Sequence, residues 1–160
     1  MSAAELPVPS RSARSVRTPL GWLCVTEEDG AIIALDWRCS GADETPLLVE
    51  AGRQLAAYFE GRLQVFDLPL RPAGDALQSQ VAAAMRAIPF GRTREYGEIA
   101  REIGAPPQAI GQACGRNTIP VIIPCHRVVG AGGLGGFSAP GGIETKVALL
   151  RHEGAYSLLL

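Results

Sequence analysis

Histidine is nearly absent from the chain. Among 160 residues only His126 and His152 occur, and neither stands at a finger-like spacing from a pair of cysteines, so a tetrahedral zinc site is not expected. The four cysteines, Cys24, Cys39, Cys114 and Cys125, include no Cys-x-x-Cys pair, and no hydrophobic signal core opens the sequence; a reducing cytoplasm is the expected compartment. No apolar run approaches the length that spans a bilayer, which leaves no membrane expected. Neither sign of charge dominates: 15 Lys and Arg stand against 16 Asp and Glu, net −1, which argues against a protein that coats nucleic acid wholesale. The charge is unevenly placed, however. Residues 1–74 hold 7 basic and 10 acidic side chains, and residues 75–160 hold 8 and 6.

What is present is a chain with 47% hydrophobic and 19% charged residues, the balance of a globular protein that can bury about two-thirds of its unfolded surface without staples. Residues 1–15 lack periodicity and predict a loose tail. A turn at Thr18–Gly21 leads into a strand over Trp22–Thr26, the run Glu27-Glu28-Asp29-Gly30 signals a turn, and Ala31–Trp37 reads as the partner strand. Leu48, Leu55 and Phe59 mark a helix over Leu47–Phe59 that Gly61 stops, and Val65–Leu70 alternates as a short strand. Arg71-Pro72-Ala73-Gly74 is dense in breakers and falls where the charge balance changes sign, so the domains are expected at 1–74 and 75–160.

Beyond it, Leu77, Val81, Met85 and Ile88 recur once per helical turn up to Pro89. Tyr96, Ile99, Ala100 and Ile103 define a second helix with Gly104 as its cap. A third begins after Pro106-Pro107 and runs over Gln108–Arg116; with the second it makes a helix-turn-helix. Its Ile110, Ala113 and Cys114 face inward, while Gln108, Gly111, Gln112 and Gly115 form a small, uncharged outer face. That face suits close approach to a DNA groove or tight packing on another helix. A closing helix over about Ile143–Glu153 packs Val147 and Leu150 and returns a carboxylate toward the centre of the fold.

The stretch that the rest serves is Val121–Val129. Its branched residues read as a buried strand, and Pro124, which cannot donate to a ladder, puts Cys125 at a turn. A thiol followed by His126 and Arg127 has the electropositive setting that favours thiolate; taken alone the pair also fits a structural cysteine. The glycine-dense run Gly130–Ser138 lacks the Gly-Lys-Ser/Thr ending of a phosphate loop and can offer backbone N–H groups and room for a flat base.

Asn117, then Pro124-Cys125-His126-Arg127-Val128-Val129, then Ser138, Lys146 and His152-Glu153-Gly154 together resemble the O6-alkylguanine-DNA alkyltransferases, with good motif agreement over about Gln78–Gly154 and looser agreement back to Thr18–Gly21. The resemblance implies an α+β fold: a small N-terminal α/β, ribonuclease H-like domain followed by a mainly helical winged helix-turn-helix domain. It implies irreversible transfer of an alkyl group from guanine O6 in double-stranded DNA to the protein's own Cys125, without cofactor, by a monomer in the cytoplasm that meets the nucleoid during repair. By position His126 is the base that deprotonates Cys125 through a water, Glu153 orients His126, Tyr96 donates a proton toward the departing guanine, and Asn117 ties the active-site turn to the recognition helix. Ser138, Phe137, Gly135, Lys146 and Val128 complete the substrate site. Gln108, Ala109, Gln112, Gly115, Arg116 and Arg127 face the DNA, whose target base must be flipped out. Gln108 stands where the family usually has an arginine that fills the emptied stack, Phe137 where a tyrosine is often found, and Ala82 where tryptophan is frequent. A lesion-binding protein with weak or no transfer is the alternative, and a cysteine hydrolase is a further one.

Overall fold

The computed structural model describes residues 10–159; the first nine residues of the expected tail lie outside the described residues. Asp29 and Gly30 both adopt positive φ, 49° and 79°, the conformation of a two-residue hairpin turn whose twist matches that of its strands. They join β2 (Gly21–Glu28) to β3 (Ala31–Asp36), and a turn closed by Thr18 Oγ1 donating to the Gly21 carbonyl joins β2 to β1 (Arg11–Thr18). The three strands form one antiparallel sheet in the order β1-β2-β3. Arg11–Ser15 therefore belong to a strand and not to a tail. Their polar side chains carry no hydrophobic signal, but backbone pairing with β2 orders them from Arg11↔Glu28 to Thr18↔Gly21.

The outer edge of β1 is covered by the loop after β3. Ser15 N–H donates to the Gly41 carbonyl and Ala13 N–H to the Asp43 carboxylate. A Cβ at position 41 would stand 2.3 Å from the Ala13 carbonyl oxygen, so only glycine lets the two backbones meet. In the same loop Cys39 is joined by a disulfide to Cys24 of β2, whereas Cys114 and Cys125 are free. The expectation of a reducing compartment rested on the missing Cys-x-x-Cys pair and signal core; the fold brings together two cysteines 15 residues apart, one in β2 and one in the loop after β3.

Helix α1 (Pro46–Phe59) is capped by Thr45, whose hydroxyl accepts from Leu48 N–H, and lays Leu48, Ala51, Leu55 and Tyr58 into one core with Leu23, Val25, Ile32 and Leu35 of the sheet. The expected strand at Val65–Leu70 is not formed. Gln54 clamps Asp67 through both backbone groups, N–H to Oε1 at 2.9 Å and Nε2 to carbonyl at 3.0 Å, and so replaces the ladder; only Leu70 makes a single parallel bridge to Ile32.

The second half begins with α2 (Ala76–Arg86), capped by Asp75. Helix α3 (Tyr96–Ile103) carries a Glu95–Glu98 capping box and ends on Gly104 at φ 83°. Helix α4 (Pro107–Gly115) starts with proline in its first turn, after a three-residue connection from α3, as the breakers imply. Strand β4 (Arg94–Glu95) pairs in parallel with β5 (Val128–Val129), and α5 (Ile143–His152) closes the fold. Its buried face is Lys146, Leu149 and Leu150, a lysine more polar than the Val147 and Leu150 pattern suggests. No helix among the described residues is long and apolar enough to cross a membrane.

Val121–Ile123 are buried as expected but form turns, not a strand. Prolines at 120 and 124 leave the run too short to pair, Val121 takes φ 72°, and the ladder's role passes to Asn117. Its Nδ2 donates to the Ile123 carbonyl at 2.8 Å and its Oδ1 accepts from Ile119 N–H at 3.0 Å.

Candidate functional site

Asn117 follows directly on the last turn of α4, so those two hydrogen bonds fasten the loop before the cysteine to the end of the helix. The loop then delivers Cys125 to the start of a single 3-10 turn, Cys125–Arg127. Cys125 and His126 are both buried, His126 completely. The imidazole is held by Glu153, which α5 places at its C-terminal cap: Nε2 stands 2.8 Å from Glu153 Oε2. A carboxylate only accepts, so Nε2 carries the proton and Nδ1 is the free acceptor. Nδ1 is buried without a hydrogen-bond partner among the described residues, which is the state of a base whose lone pair is open.

Arg127, expected on the DNA, is turned inward. Its Nε and Nη2 donate to Glu153 Oε1 and Oε2 at 2.8 and 2.9 Å, and its Nη1 to the Ile88 carbonyl at 2.7 Å. The charge that marked it as a DNA contact instead neutralises a buried carboxylate. Tyr58 of α1, which nothing in the sequence marks as functional, donates its hydroxyl to Glu153 Oε2 at 2.6 Å. With four donors the Glu153 carboxyl stays ionised well below the usual carboxylate range despite its burial, held there by His126 and Arg127.

The electrostatics correct one expectation. Burial pushes the Cys125 thiol up, against the Asn117 side chain, the Lys146 charge and the backbone N–H groups of Cys125 and His126, so the thiol keeps its proton until a base removes it. Burial also pushes His126 down, with Glu153 opposing; the imidazole is neutral at neutral pH and able to act as that base. Burial raises Tyr96 to about 12, which keeps it a donor.

Two cavities meet at Cys125. One, about 310 Å³, lies between Tyr96, the outer face of α4 at Gly111 and Gly115, and the loop Gly136–Ser138. The other, about 420 Å³, extends from Cys125 and Asn117 past Ser138 to Asp36, Trp37 and Arg38 at the end of β3. Phe137 and Ser138 line both, as does Cys114, which the sequence placed only in the core of α4. The smaller is of a size for one flat base.

Of the remaining expected substrate residues, Val128 is fully buried and its carbonyl is taken by Lys146 Nζ at 2.7 Å, so it does not line either cavity. Lys146 is also buried; Nζ makes a second bond to the Gly136 carbonyl at 3.1 Å and lies 5.7 Å from the Tyr96 ring centroid. It pins the glycine loop in place, and burial brings its ammonium down to about 8. Gly135, at φ 73°, makes room for Tyr96, since a Cβ there would come 2.9 Å from the phenol oxygen. On α4, Gln108, Gln112, Gly115 and Arg116 are exposed and Ala109 half-buried, while Ile110, Ala113 and Cys114 are buried, the division that the periodicity predicts. The described residues contain no cluster of three or more His, Cys, Asp or Glu arranged to hold a metal.

Comparison with known proteins matches residues 13–72 to the family described as 6-O-methylguanine DNA methyltransferase, ribonuclease-like domain, and residues 76–155 to 6-O-methylguanine DNA methyltransferase, DNA binding domain. The chain is 40% identical over 155 residues to the methylated-DNA--protein-cysteine methyltransferase of Mycolicibacterium paratuberculosis, covering 90% of this chain and 93% of that one. It is 40% identical over 130 residues to the constitutive methylated-DNA--protein-cysteine methyltransferase of Bacillus subtilis, covering 72% and 79%. Among solved structures it resembles the O6-methylguanine methyltransferase of Mycobacterium tuberculosis, with a TM-score of 0.81 and 36% identity over 92% of this chain and 94% of that one. A Mycobacterium tuberculosis structure in complex with DNA gives 0.80 and 39% over 91% and 94%.

Proposed function

The chain belongs to the 6-O-methylguanine DNA methyltransferase family, and from that premise we infer that it repairs DNA by moving the alkyl group of an O6-alkylguanine onto Cys125, once per molecule. Residues 1–74 form the ribonuclease-like domain and 75–160 the DNA-binding, acceptor domain. Helix α4 lies along the duplex with Gln108, Ala109, Gln112, Gly115 and Arg116 toward it, and the flipped base enters the cavity between Tyr96 and the loop at Phe137 and Ser138. His126 Nδ1 takes the thiol proton through a water; the sulfur forms a bond to the alkyl carbon as the bond from that carbon to O6 breaks; Tyr96 O–H supplies a proton to the leaving guanine. A thioether is a poor leaving group, so the reaction ends there. The protein acts as a monomer, without cofactor, in the cytoplasm and on the nucleoid during repair.

The observation that carries this reading is the Glu153–His126 pair beside a buried thiol at the meeting point of two cavities. Incubation with duplex DNA containing O6-methylguanine is expected to raise the intact mass by one methyl, found on Cys125, and to stop at one equivalent. Release of guanine beyond one equivalent would sink single turnover, and methyl on Cys114 would sink the assignment. Retained lesion binding without any mass change would favour a lesion-binding protein.

Gln108 yields a further test. It is exposed at the start of α4, where a side chain entering the emptied stack recovers part of the few kcal/mol that flipping costs. Glutamine can hydrogen-bond to the orphaned base but adds no Coulombic attraction or guanidinium stacking. Gln108→Arg is expected to raise the rate on duplex DNA and steepen its salt dependence by about one counterion, leaving the rate on the free base unchanged. Equal duplex rates for the two proteins would remove Gln108 from the stack.

A further inference from the structure

Tyr58 stands in the ribonuclease-like half of the chain, near the end of α1, yet its hydroxyl reaches the carboxylate that serves His126. The side chain is fully buried. Its ring is boxed by Phe59, Phe66, Phe90 and His152, with centroids 4.9, 5.3, 6.1 and 4.8 Å away, and its own carbonyl lies 2.7 Å from His152 Nε2. In such an apolar box phenylalanine would pack as well; the hydroxyl's one hydrogen bond is to Glu153 Oε2, at 2.6 Å. That same oxygen receives His126 Nε2 at 2.8 Å and Arg127 Nη2 at 2.9 Å. Three donors converge on one oxygen, and the hydroxyl comes from the other half of the molecule.

We propose that Tyr58 is a positioning residue for alkyl transfer, its hydroxyl fixing the Glu153 carboxylate against His126 and drawing charge from it so as to set how basic His126 is. The proposal rests on the reading of His126 as the base for Cys125. A carboxylate sharing its charge with a phenol stabilises an imidazolium less, so His126 stays neutral to lower pH and remains a competent base. The other charged groups facing this pair work alongside. Arg127 lies against Glu153 and, with Lys146, disfavours a proton on His126; Glu153 and Arg127 are the charges that act on Tyr58 itself. His152 meets the Tyr58 ring and carbonyl rather than the carboxylate.

The test is the pH profile of the second-order rate of Cys125 methylation by duplex DNA, together with the titration of His126 followed by NMR of imidazole-labelled protein. Tyr58→Phe keeps the ring and removes one O–H. The acid limb of the rate and the His126 titration are both expected to move to higher pH, by roughly half a unit or more, with the end point still one methyl per chain. Replacing Tyr58 by 3-fluorotyrosine, a stronger donor of the same shape, is expected to move both to lower pH, and it preserves the bond should the phenylalanine variant fold poorly. A uniform loss of rate in Tyr58→Phe with an unmoved limb, or no shift of opposite sign with the fluorinated residue, overturns the proposal by reducing Tyr58 to packing. If wild type fails to methylate Cys125 the base assignment falls, while the His126 titration still decides what Tyr58 does.

Discussion

Glu153→Gln is expected to lower the free energy of unfolding by about 3–5 kcal/mol, the usual consequence of breaking a buried ion pair on one side, and to slow alkyl transfer by about 100-fold, within the range of a lost general base. The two effects share a cause. Glu153 accepts from four nitrogen and oxygen donors on Tyr58, His126 and Arg127, all of them buried. An amide offers a single acceptor oxygen and, whichever way it turns, sets its NH2 group against a nitrogen of Arg127 that has no lone pair to give. Arg127, itself buried, is left with an uncompensated charge, and His126 loses the carboxylate that fixes its proton on Nε2. Thermal unfolding should fall by roughly 10 °C for a chain of this size.

Acid discriminates further. Because the folded carboxyl titrates below its unfolded value of 4.5, its contribution is fully present above that value and is lost as pH falls through the folded one. The gap in stability between wild type and variant should therefore narrow on acidification. An unfolding free energy within about 1 kcal/mol of wild type at pH 7, the loss typical of one ordinary hydrogen bond, would mean that the ion pair is not what holds this centre.

Cys125→Ser is expected to abolish transfer altogether and to leave binding to duplex DNA close to wild type. The lost step is the nucleophilic one: a buried serine hydroxyl holds its proton far more tightly than a thiol, and the neutral His126 has no reason to take it. The surfaces assigned to DNA, by contrast, are Gln108, Ala109, Gln112, Gly115 and Arg116 on α4, none of which touches the sulfur through a hydrogen bond. Phosphate contacts along a helix position a protein on DNA whatever lies at its reactive centre. Gel-shift affinity on a methylated duplex, measured beside the intact mass after incubation, checks both halves. A covalent methyl on the serine variant would exclude Cys125 as acceptor, and a folded variant unable to bind DNA would move the interface onto the thiol's own loop.

The parts of this architecture that could be read from the chain are those with local causes. Gly104 ends α3 and Pro107 starts α4 because each residue's own backbone demands it, and the periodicity of Ile110, Ala113 and Cys114 divides buried from exposed on α4 without any knowledge of its neighbours. Val121–Ile123 were legible as buried but not as turns, since an apolar run looks the same in a core strand and in a buried loop; what decided it was a side chain, Asn117, supplying the backbone partners. The neighbourhood of Cys125 and His126 and the return of Glu153 to that histidine were visible through the resemblance of the whole motif. Arg127 was misassigned because a cation beside a DNA-directed nucleophile suggests phosphate, and its true partner lies 26 residues away. Tyr58 was not legible at all. A tyrosine on the buried stripe of an amphipathic helix reads as core, and its partner is 95 residues distant.

Those separations also govern when the centre comes into being. The carboxylate of Glu153 joins segments 26, 27 and 95 residues apart, and contacts of that range form only after the chain has met the entropic cost of closing the loops between them, which makes them late in folding. Helices α2 to α4 can assemble from neighbours; the Glu153–His126 pair cannot. A nascent or partly unfolded chain thus holds Cys125 without a poised imidazole. For a protein consumed by its first reaction, that lateness has a consequence: the thiol gains its imidazole and carboxylate partners only in molecules complete enough to carry it to DNA.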